Sequence, residues 1–252
     1  MAILQIKIPK VGTYNKDNRT PVSKIYNSFS KFSENRWYSE VLYNQIVNIK
    51  KNKNVSLPIL AFRTRKKGSA LWIIGGIHGE EPAGPNAISK NIRFLNRLSK
   101  KIPIVILPLC NPAGYVKDWR YPNRKTRSKK IEVISVGDSE HLLPDLRNRK
   151  KARKNKPSCN ESDCITSFVI RTVKDYKPVL VLDFHEDKSS TGVYIYSQGR
   201  LGEKDPIAKK VVSIIKKSGF KFYKKATTDF NQKIIGEIVS DVNDGSIDEL
   251  LA

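Results

Sequence analysis

The chain has 252 residues, 39% hydrophobic and 28% charged, which suits one sizeable globular domain and excludes a chain that is disordered throughout. Lys and Arg number 47 against 24 Asp and Glu, and the resulting charge of +23 leaves room for a polyanionic partner. Three cysteines are too few for a disulfide framework, no apolar run reaches membrane-spanning length and the N-terminus lacks a secretory pattern, so a cytoplasmic protein without membrane contact is expected.

Residues 1–56 carry polar, aromatic-bearing sequence such as Tyr26-Asn-Ser-Phe-Ser and Arg36-Trp-Tyr. They read as an N-terminal prelude with a helix around residues 24–31, ahead of a single domain over 57–252. Leu57-Pro-Ile-Leu-Ala-Phe-Arg63 predicts a strand, and Arg65-Lys-Lys-Gly68 a turn. Next comes Leu71-Trp-Ile-Ile-Gly-Gly, a short apolar run closed by glycines, which is the pattern of a buried strand. Pro82 suits a first helical turn, and Ala87, Ile88, Ile92, Leu95 and Leu98 follow at helical spacing. Residues 102–109, Ile-Pro-Ile-Val-Ile-Leu-Pro-Leu, predict the next parallel strand and complete a βαβ unit.

Cys110-Asn-Pro-Ala-Gly-Tyr115 reads as a turn-rich loop at that strand's end. Residues 117–156 then crowd Arg120, Arg124, Arg127, Arg147, Arg149 and Arg153 among lysines with little periodicity. A connection of that length is functional or disordered. Its charge suits an anionic substrate, a wall polymer or nucleic acid and does not discriminate among them; a lysine-rich surface bias would look the same. Residues 161–176 regain helical spacing through Ile165, Phe168, Val169, Thr172 and Val173. Pro178-Val-Leu-Val-Leu-Asp-Phe184 predicts a strongly apolar strand that runs into His185-Glu-Asp187. Short strands are expected at 193–196 and 220–223. Between them, residues 206–217 predict an amphipathic helix with Ile207, Val211, Ile214 and Ile215 on one side. The chain closes on Asn243-Asp-Gly-Ser-Ile-Asp-Glu-Leu-Leu-Ala252, the start of a helix.

His78 and His185 are two of only three histidines, and each stands just past the carboxyl end of an expected strand, where α/β folds place their chemistry. Glu81 follows His78 by three residues, which returns its carboxylate to the same side; Glu80 reads as solvated. An imidazole and a carboxylate from one turn, with a second histidine from afar, are the donors of catalytic zinc sites of the His₂Glu type. Asp183, two residues before His185, is placed to orient that ring from behind or simply to cap the strand end. Cys159 and Cys164 are close enough to pair locally, but reduced thiols are the expectation.

These stretches together resemble the zinc carboxypeptidases of the carboxypeptidase A type. Gly75-Gly-Ile-His78-Gly-Glu-Glu81 is similar to the family's His-x-x-Glu motif, and Leu182-Asp-Phe-His185 to its strand-end third ligand. Asn111-Pro-Ala-Gly-Tyr115 resembles the family's Asn-Pro-Asp-Gly-Tyr/Phe, with alanine in place of the acid. Asn123-Arg124-Lys-Thr-Arg-Ser128 resembles its Trp-Arg-Lys-x-Arg-Ser, and Asp244-Gly-Ser-Ile-Asp248 its Gly-Gly-Ser-Ile-Asp. The matches keep family order from about residue 57 onward. The resemblance implies a mixed, largely parallel sheet with helices on both faces. It implies zinc held by His78, Glu81 and His185, with Arg124 stabilising the oxyanion of a scissile C-terminal peptide bond. Asn148 and Arg149, in Pro144-Asp145-Leu-Arg-Asn148-Arg149, are the candidates for gripping the substrate's terminal carboxylate, although the residue order departs from the family's Asp-x-Asn-Arg-Asn.

Two further departures bear on activity. The family's general base is a glutamate on a strand after the Gly-Ser-Ile-Asp helix, and this sequence ends at Ala252 before such a strand; a C-terminally truncated domain that binds metal and hydrolyses poorly is therefore expected. Ser240 falls near the position of the family's closing tyrosine, while Glu186 and Asp187 lie beside a ligand by local sequence alone. Other function classes stay open. Succinylglutamate desuccinylase and aspartoacylase, which act on N-acyl amino acids, share Gly-Gly-x-His-Gly-x-Glu, so the substrate is a peptide or an acylated amino acid. A non-catalytic binder using the basic 117–156 segment is the third reading, but no helix-turn-helix, zinc-finger or RNP signature supports nucleic acid.

Overall fold

A computed structural model of the chain describes residues 6–32, 35–50, 53–122, 159–186, 192–228, 231–240 and 246–252. Among the described residues, five strands form the main sheet: β1 (Trp37–Lys50), β2 (Lys53–Thr64), β3 (Ala70–Gly75), β4 (Ile104–Leu107) and β5 (Pro178–Phe184). Their spatial order is β1-β2-β4-β3-β5. The inner strand β3 runs parallel to both β4 and β5, while β1 and β2 form a long antiparallel hairpin that joins β4 in antiparallel sense. The sheet is thus mixed, parallel among β4, β3 and β5 and antiparallel from β4 through β2 to β1.

Among the described residues the helices are α1 (Val22–Phe29), α2 (Ala83–Lys90), α3 (Ile92–Leu98), α4 (Pro112–Lys117), α5 (Asn160–Thr172), α6 (Pro206–Lys217) and α7 (Ile247–Leu251). Successive side chains of a strand leave on opposite faces, so an uninterrupted apolar strand needs cover on both sides. Leu71 and Ile73 join Ile104 and Ile106 in one core, which α1 to α4 cover through Ile25, Ile88, Leu95 and Tyr115. Ala70, Trp72 and Ile74 join Val105 and Leu107 in the other, covered by α5 and α7 through Phe168, Val169, Ile247 and Leu251.

Several elements differ from their sequence reading for local reasons. The expected helix over 87–98 is two helices, because the Asn91 amide side chain bonds back to Ala87 O at 2.8 Å and its backbone leaves helical geometry at φ −107°. The expected loop 110–115 holds α4: the Asn111 side chain accepts from Gly114 N at 2.9 Å and Pro112 opens the first turn, two helix-start signals that the pattern contained. The strand expected over 102–109 is trimmed to Ile104–Leu107, between two prolines that cannot donate to the ladder.

β1 lies in the expected prelude, where the sequence predicts no strand. A register shift between Val41 and Tyr43 interrupts its alternation, and further along Gln45 is buried while Ile46 is 63% exposed. Gln45 is buried at no polar loss, since its carbonyl accepts from Ala113 N at 2.7 Å and its amide donates to Glu161 at 3.1 Å.

A second, smaller sheet comprises β6 (Ile195–Tyr196), β7 (Ile234–Ile235) and β8 (Ile238–Val239), in the order β6-β8-β7. Gly236 and Glu237 join β7 to β8 with φ of 57° and 69°, the paired positive values of a tight hairpin turn. Residues 220–223 contribute a single bridge, Val193 to Phe222, in place of the expected strand. α6 has its expected span but turns another face inward: Ala208 and Val212 pack against Ile238, while Ile207 and Ile214 stay 44% and 53% exposed. No helix among the described residues is long and apolar enough to cross a membrane.

Candidate metal centre

β3 delivers its chain to a loop that only glycines permit. Gly76 takes φ +67°, and a Cβ there would stand 2.9 Å from both Leu109 and Pro85 side chains. Gly79 lies so close to α4 that a Cβ would meet the Gly114 backbone at 2.1 Å. Backbone bonds from Cys110 N to Gly75 O (3.1 Å) and from Asn111 N to Gly76 O (2.8 Å) continue the β3–β4 pairing past the strand ends. His78 and Glu81, three residues apart on this loop, are each only 3% exposed.

The third donor arrives through the sheet. β5 lies beside β3 in parallel register, with Ile74 opposite Asp183 and Gly75 opposite Phe184. The residue after Phe184 therefore emerges next to the loop that follows Gly75, and two histidines 107 positions apart in sequence meet with their Nδ1 atoms 3.2 Å apart. Behind His185, the Asp183 carboxylate approaches its Nε2 at 3.4 Å. A carboxylate there favours the tautomer that carries its proton on Nε2 and leaves the Nδ1 lone pair facing the other donors.

Glu81 joins the two rings. Its Oε1 is 2.7 Å from His78 Nδ1 and its Oε2 is 3.0 Å from His185 Nδ1. Glu186 N donates to the same Oε2 at 3.0 Å, and Arg120 Nη1 donates to Oε1 at 3.0 Å while also reaching Glu80 at 3.3 Å. Burial alone would push the Glu81 carboxyl up; the neighbouring His78 and His185 outweigh it and hold the group well below the usual carboxylate range. For His185 desolvation works downward, and the Asp183 and Glu81 carboxylates overcome it to raise the imidazole well above its ordinary value. Tyr121, fully buried, stands edge-on to the His78 ring at 6.3 Å and closes one wall.

This donor set fits zinc. Two imidazole nitrogens and a carboxylate are zinc's ligand types, and all three ligand atoms lie within 4.8 Å of one another. Donors bound tetrahedrally at about 2.0–2.2 Å stand roughly 3.3–3.6 Å apart. The separations of 2.7, 3.0 and 3.2 Å need only a small opening to reach that arrangement.

The other residues singled out in the sequence are distributed differently. Arg124, Asn148, Arg149 and Asp187 lie outside the described residues. Glu186 is beside the centre, but its carboxylate accepts from Ala83 N at 2.9 Å and so occupies the start of α2. The Ser240 hydroxyl is bonded to Glu203 at 3.1 Å on the smaller sheet. Arg120, named in the sequence only as one of the basic residues of 117–156, joins the centre because α4 folds back beside the loop, a stretch that reads in sequence as a turn-rich loop.

A profile described as "Zinc carboxypeptidase" matches residues 43–249. Carboxypeptidase 2 of Trichophyton rubrum is 28% identical over 95 residues, a match that covers 30% of this chain and only 18% of that relative. A crystal structure of a candidate metallopeptidase from Shewanella amazonensis aligns with a TM-score of 0.66 at 18% identity, over 90% of this chain and 78% of the other. A second, from Shewanella denitrificans, aligns with a TM-score of 0.62 at 15% identity, over 99% of this chain and 85% of the other. At such identities the solved structures establish a shared fold.

Proposed function

Because the chain belongs to the zinc carboxypeptidase family, we propose that it is a zinc-dependent hydrolase that cleaves the C-terminal peptide bond of a peptide substrate. The observation that carries this reading is the convergence of His78, Glu81 and His185 from the ends of two adjacent parallel strands. The curated relatives are matched over 18% of their length, so activity, substrate and cytoplasmic residence are all part of the proposal.

Zinc, when bound, supplies a Lewis acid for a carbonyl oxygen and acidifies water at neutral pH. The chain's own residues prepare for it. Glu81 offers a carboxylate held in place by Arg120 and the Glu186 N–H. Asp183 takes the Nε2 side of His185 and leaves Nδ1 turned inward. Arg120 lines the centre beside Glu81 with its side chain 23% exposed, and adds positive charge where an anionic group would enter. Arg124 is proposed to stabilise the oxyanion, for which a planar and permanently charged donor is suited. Asn148 and Arg149 are proposed to hold the substrate's terminal carboxylate. The hydrogen bond from Ala83 N to Glu186 argues for a structural role there rather than that of general base.

The test is reconstitution of metal-stripped protein with one equivalent of zinc, followed by a panel of N-blocked dipeptides and N-acyl amino acids. Release of the C-terminal residue from dipeptides, lost on chelation, is expected. Turnover confined to N-acyl amino acids would place the chain with the amidohydrolases instead. Failure to bind zinc stoichiometrically would remove the reading altogether.

A further inference from the structure

We infer that Arg19, in the segment ahead of α1, is a positioning residue for the metal loop; this rests on the reading that His78, Glu81 and His185 hold zinc. Residue 19 precedes the 43–249 stretch matched by the family profile, and nothing in its sequence surroundings marks it. Yet its side chain is wholly buried, with its guanidinium centre 4.9 Å from the Tyr14 ring centroid and 5.1 Å from that of Tyr115. A buried permanent charge needs specific partners, and those of Arg19 show what it does.

One edge of the guanidinium is held by carboxylates. Nε donates to Asp17 at 2.8 Å, and Nη2 to Asp17 and to Asp118 at 2.6 Å each. The remaining nitrogen, Nη1, points at two backbone carbonyls, Gly79 O at 3.3 Å and Tyr115 O. Gly79 directly follows His78, and its N–H donates to Arg120 O at 3.2 Å. The two peptide groups that flank the Gly79 Cα are therefore both held, the one from His78 through its N–H by the Arg120 carbonyl and the one to Glu80 through its carbonyl by Arg19. Gly79 cannot move toward α4, where the Gly114 backbone already fills the space. With Gly79 immobilised, the His78 ring keeps its Nδ1 at 2.7 Å from Glu81 Oε1.

The segment carrying Arg19 is itself pinned to the helices on either side of the loop. Thr20 N donates to Asn86 Oδ1 at 2.9 Å, and Asn86 Nδ2 returns a bond to Asn18 O at 2.9 Å, both on α2. From α4, the Tyr115 hydroxyl donates to Thr20 O at 2.7 Å. Residues 17–20 thus form a strap across α2 and α4, with Arg19 inserted beneath it toward the loop. Only a planar fork can serve two carboxylates and two carbonyls at once; a lysine ammonium cannot span them.

Groups that orient metal ligands from outside the coordination shell change metal affinity by about 10–100-fold when altered. Arg19→Lys in the full chain is accordingly expected to raise the zinc dissociation constant at least about tenfold in competition with a chromophoric chelator, and to alter the visible spectrum of the cobalt-substituted protein. Val22→Ala, which opens a cavity under α1 without touching the strap's polar contacts, is the control for lost stability. It should lower the unfolding temperature and leave zinc affinity unchanged. Asp118→Asn keeps the guanidinium but removes one of the two carboxylate charges on its Nη2, and should weaken zinc by a smaller factor; it carries the test if Arg19→Lys does not fold. Zinc affinity and cobalt spectrum unchanged in the folded Arg19 or Asp118 variant, with wild type binding one ion, would overturn the inference while sparing the metal centre. Equal losses of affinity in Val22→Ala would also overturn it, by reducing the effect to general stability. A wild-type chain that binds no zinc would overturn the metal reading and this inference with it.

Discussion

Replacing His185 with alanine separates metal binding from folding. The side chain is 43% exposed and sits past the end of β5, so its loss opens no core cavity. Glu81 keeps three of its partners, His78, Arg120 and the Glu186 N–H, so its buried charge stays compensated. Asp183, whose buried carboxylate faces His185 Nε2 at 3.4 Å, does lose that partner, so the metal-free variant should unfold about 1–3 kcal/mol below wild type, and the zinc effect is read against the variant's own metal-free midpoint. Zinc binding, by contrast, loses one of three protein ligands. A ligand held only by the native state stabilises it by RT ln(1 + [L]/Kd), or about 2.7 kcal/mol at a free concentration of 100 Kd. For a chain near 250 residues each kcal/mol moves the midpoint by about 2–4 °C, so wild type should gain roughly 5–10 °C under those conditions. His185→Ala should gain almost nothing. The assay is thermal unfolding of chelator-stripped protein with and without zinc, with elemental analysis of the desalted product. A variant that keeps the full thermal gain and one zinc per chain would show that the ion sits elsewhere, and the argument from β3–β5 register would fail with it.

Other expected outcomes follow from single residues. Arg124→Ala should lower kcat by about 10²–10³-fold with KM little changed, the pattern of an oxyanion donor; a change confined to KM would assign it to substrate gripping. Glu186→Gln should cost less than about tenfold in kcat, since the side chain serves the start of α2, whereas loss of a general base costs about 10²–10⁴-fold. Burial holds the Tyr26 phenol far above its ordinary value, and its hydroxyl donates to Pro58 O. The unfolded chain then releases that proton first, so stability is intact below about pH 10 and declines above it by about 1.4 kcal/mol per pH unit from this group. In denaturant titrations Tyr26→Phe should flatten that alkaline decline, at a cost near 1 kcal/mol at neutral pH for the lost hydrogen bond; an unchanged slope would show that Tyr26 does not drive it.

What the sequence determined by itself is local. The apolar run of β3, its closing glycines and the three-residue step from His78 to Glu81 all lie within one short segment, so strand, turn and two candidate donors were legible together. The span of β5 was legible because its apolar run is continuous, and those of α5 and α6 from helical spacing. The inward face of α6 was not, since both of its candidate stripes are apolar and only contact with Ile238 chooses between them. β1 escaped because a register shift and a buried glutamine break the alternation on which strand reading depends. His185 was named from its place at a strand end, but its meeting with His78 and Glu81 is a matter of tertiary structure. His185 reaches the other two donors because β5 pairs with β3 in a register that sets Phe184 beside Gly75, a choice made by cores on both faces of the sheet. Arg120 and Arg19 reach the loop only once α4 and the strap have docked beside it. Spacing along a chain reports which side chains share a turn or a face. Which turns then meet is decided by how strands pair and what covers them, and that information is spread over contacts between residues far apart in sequence.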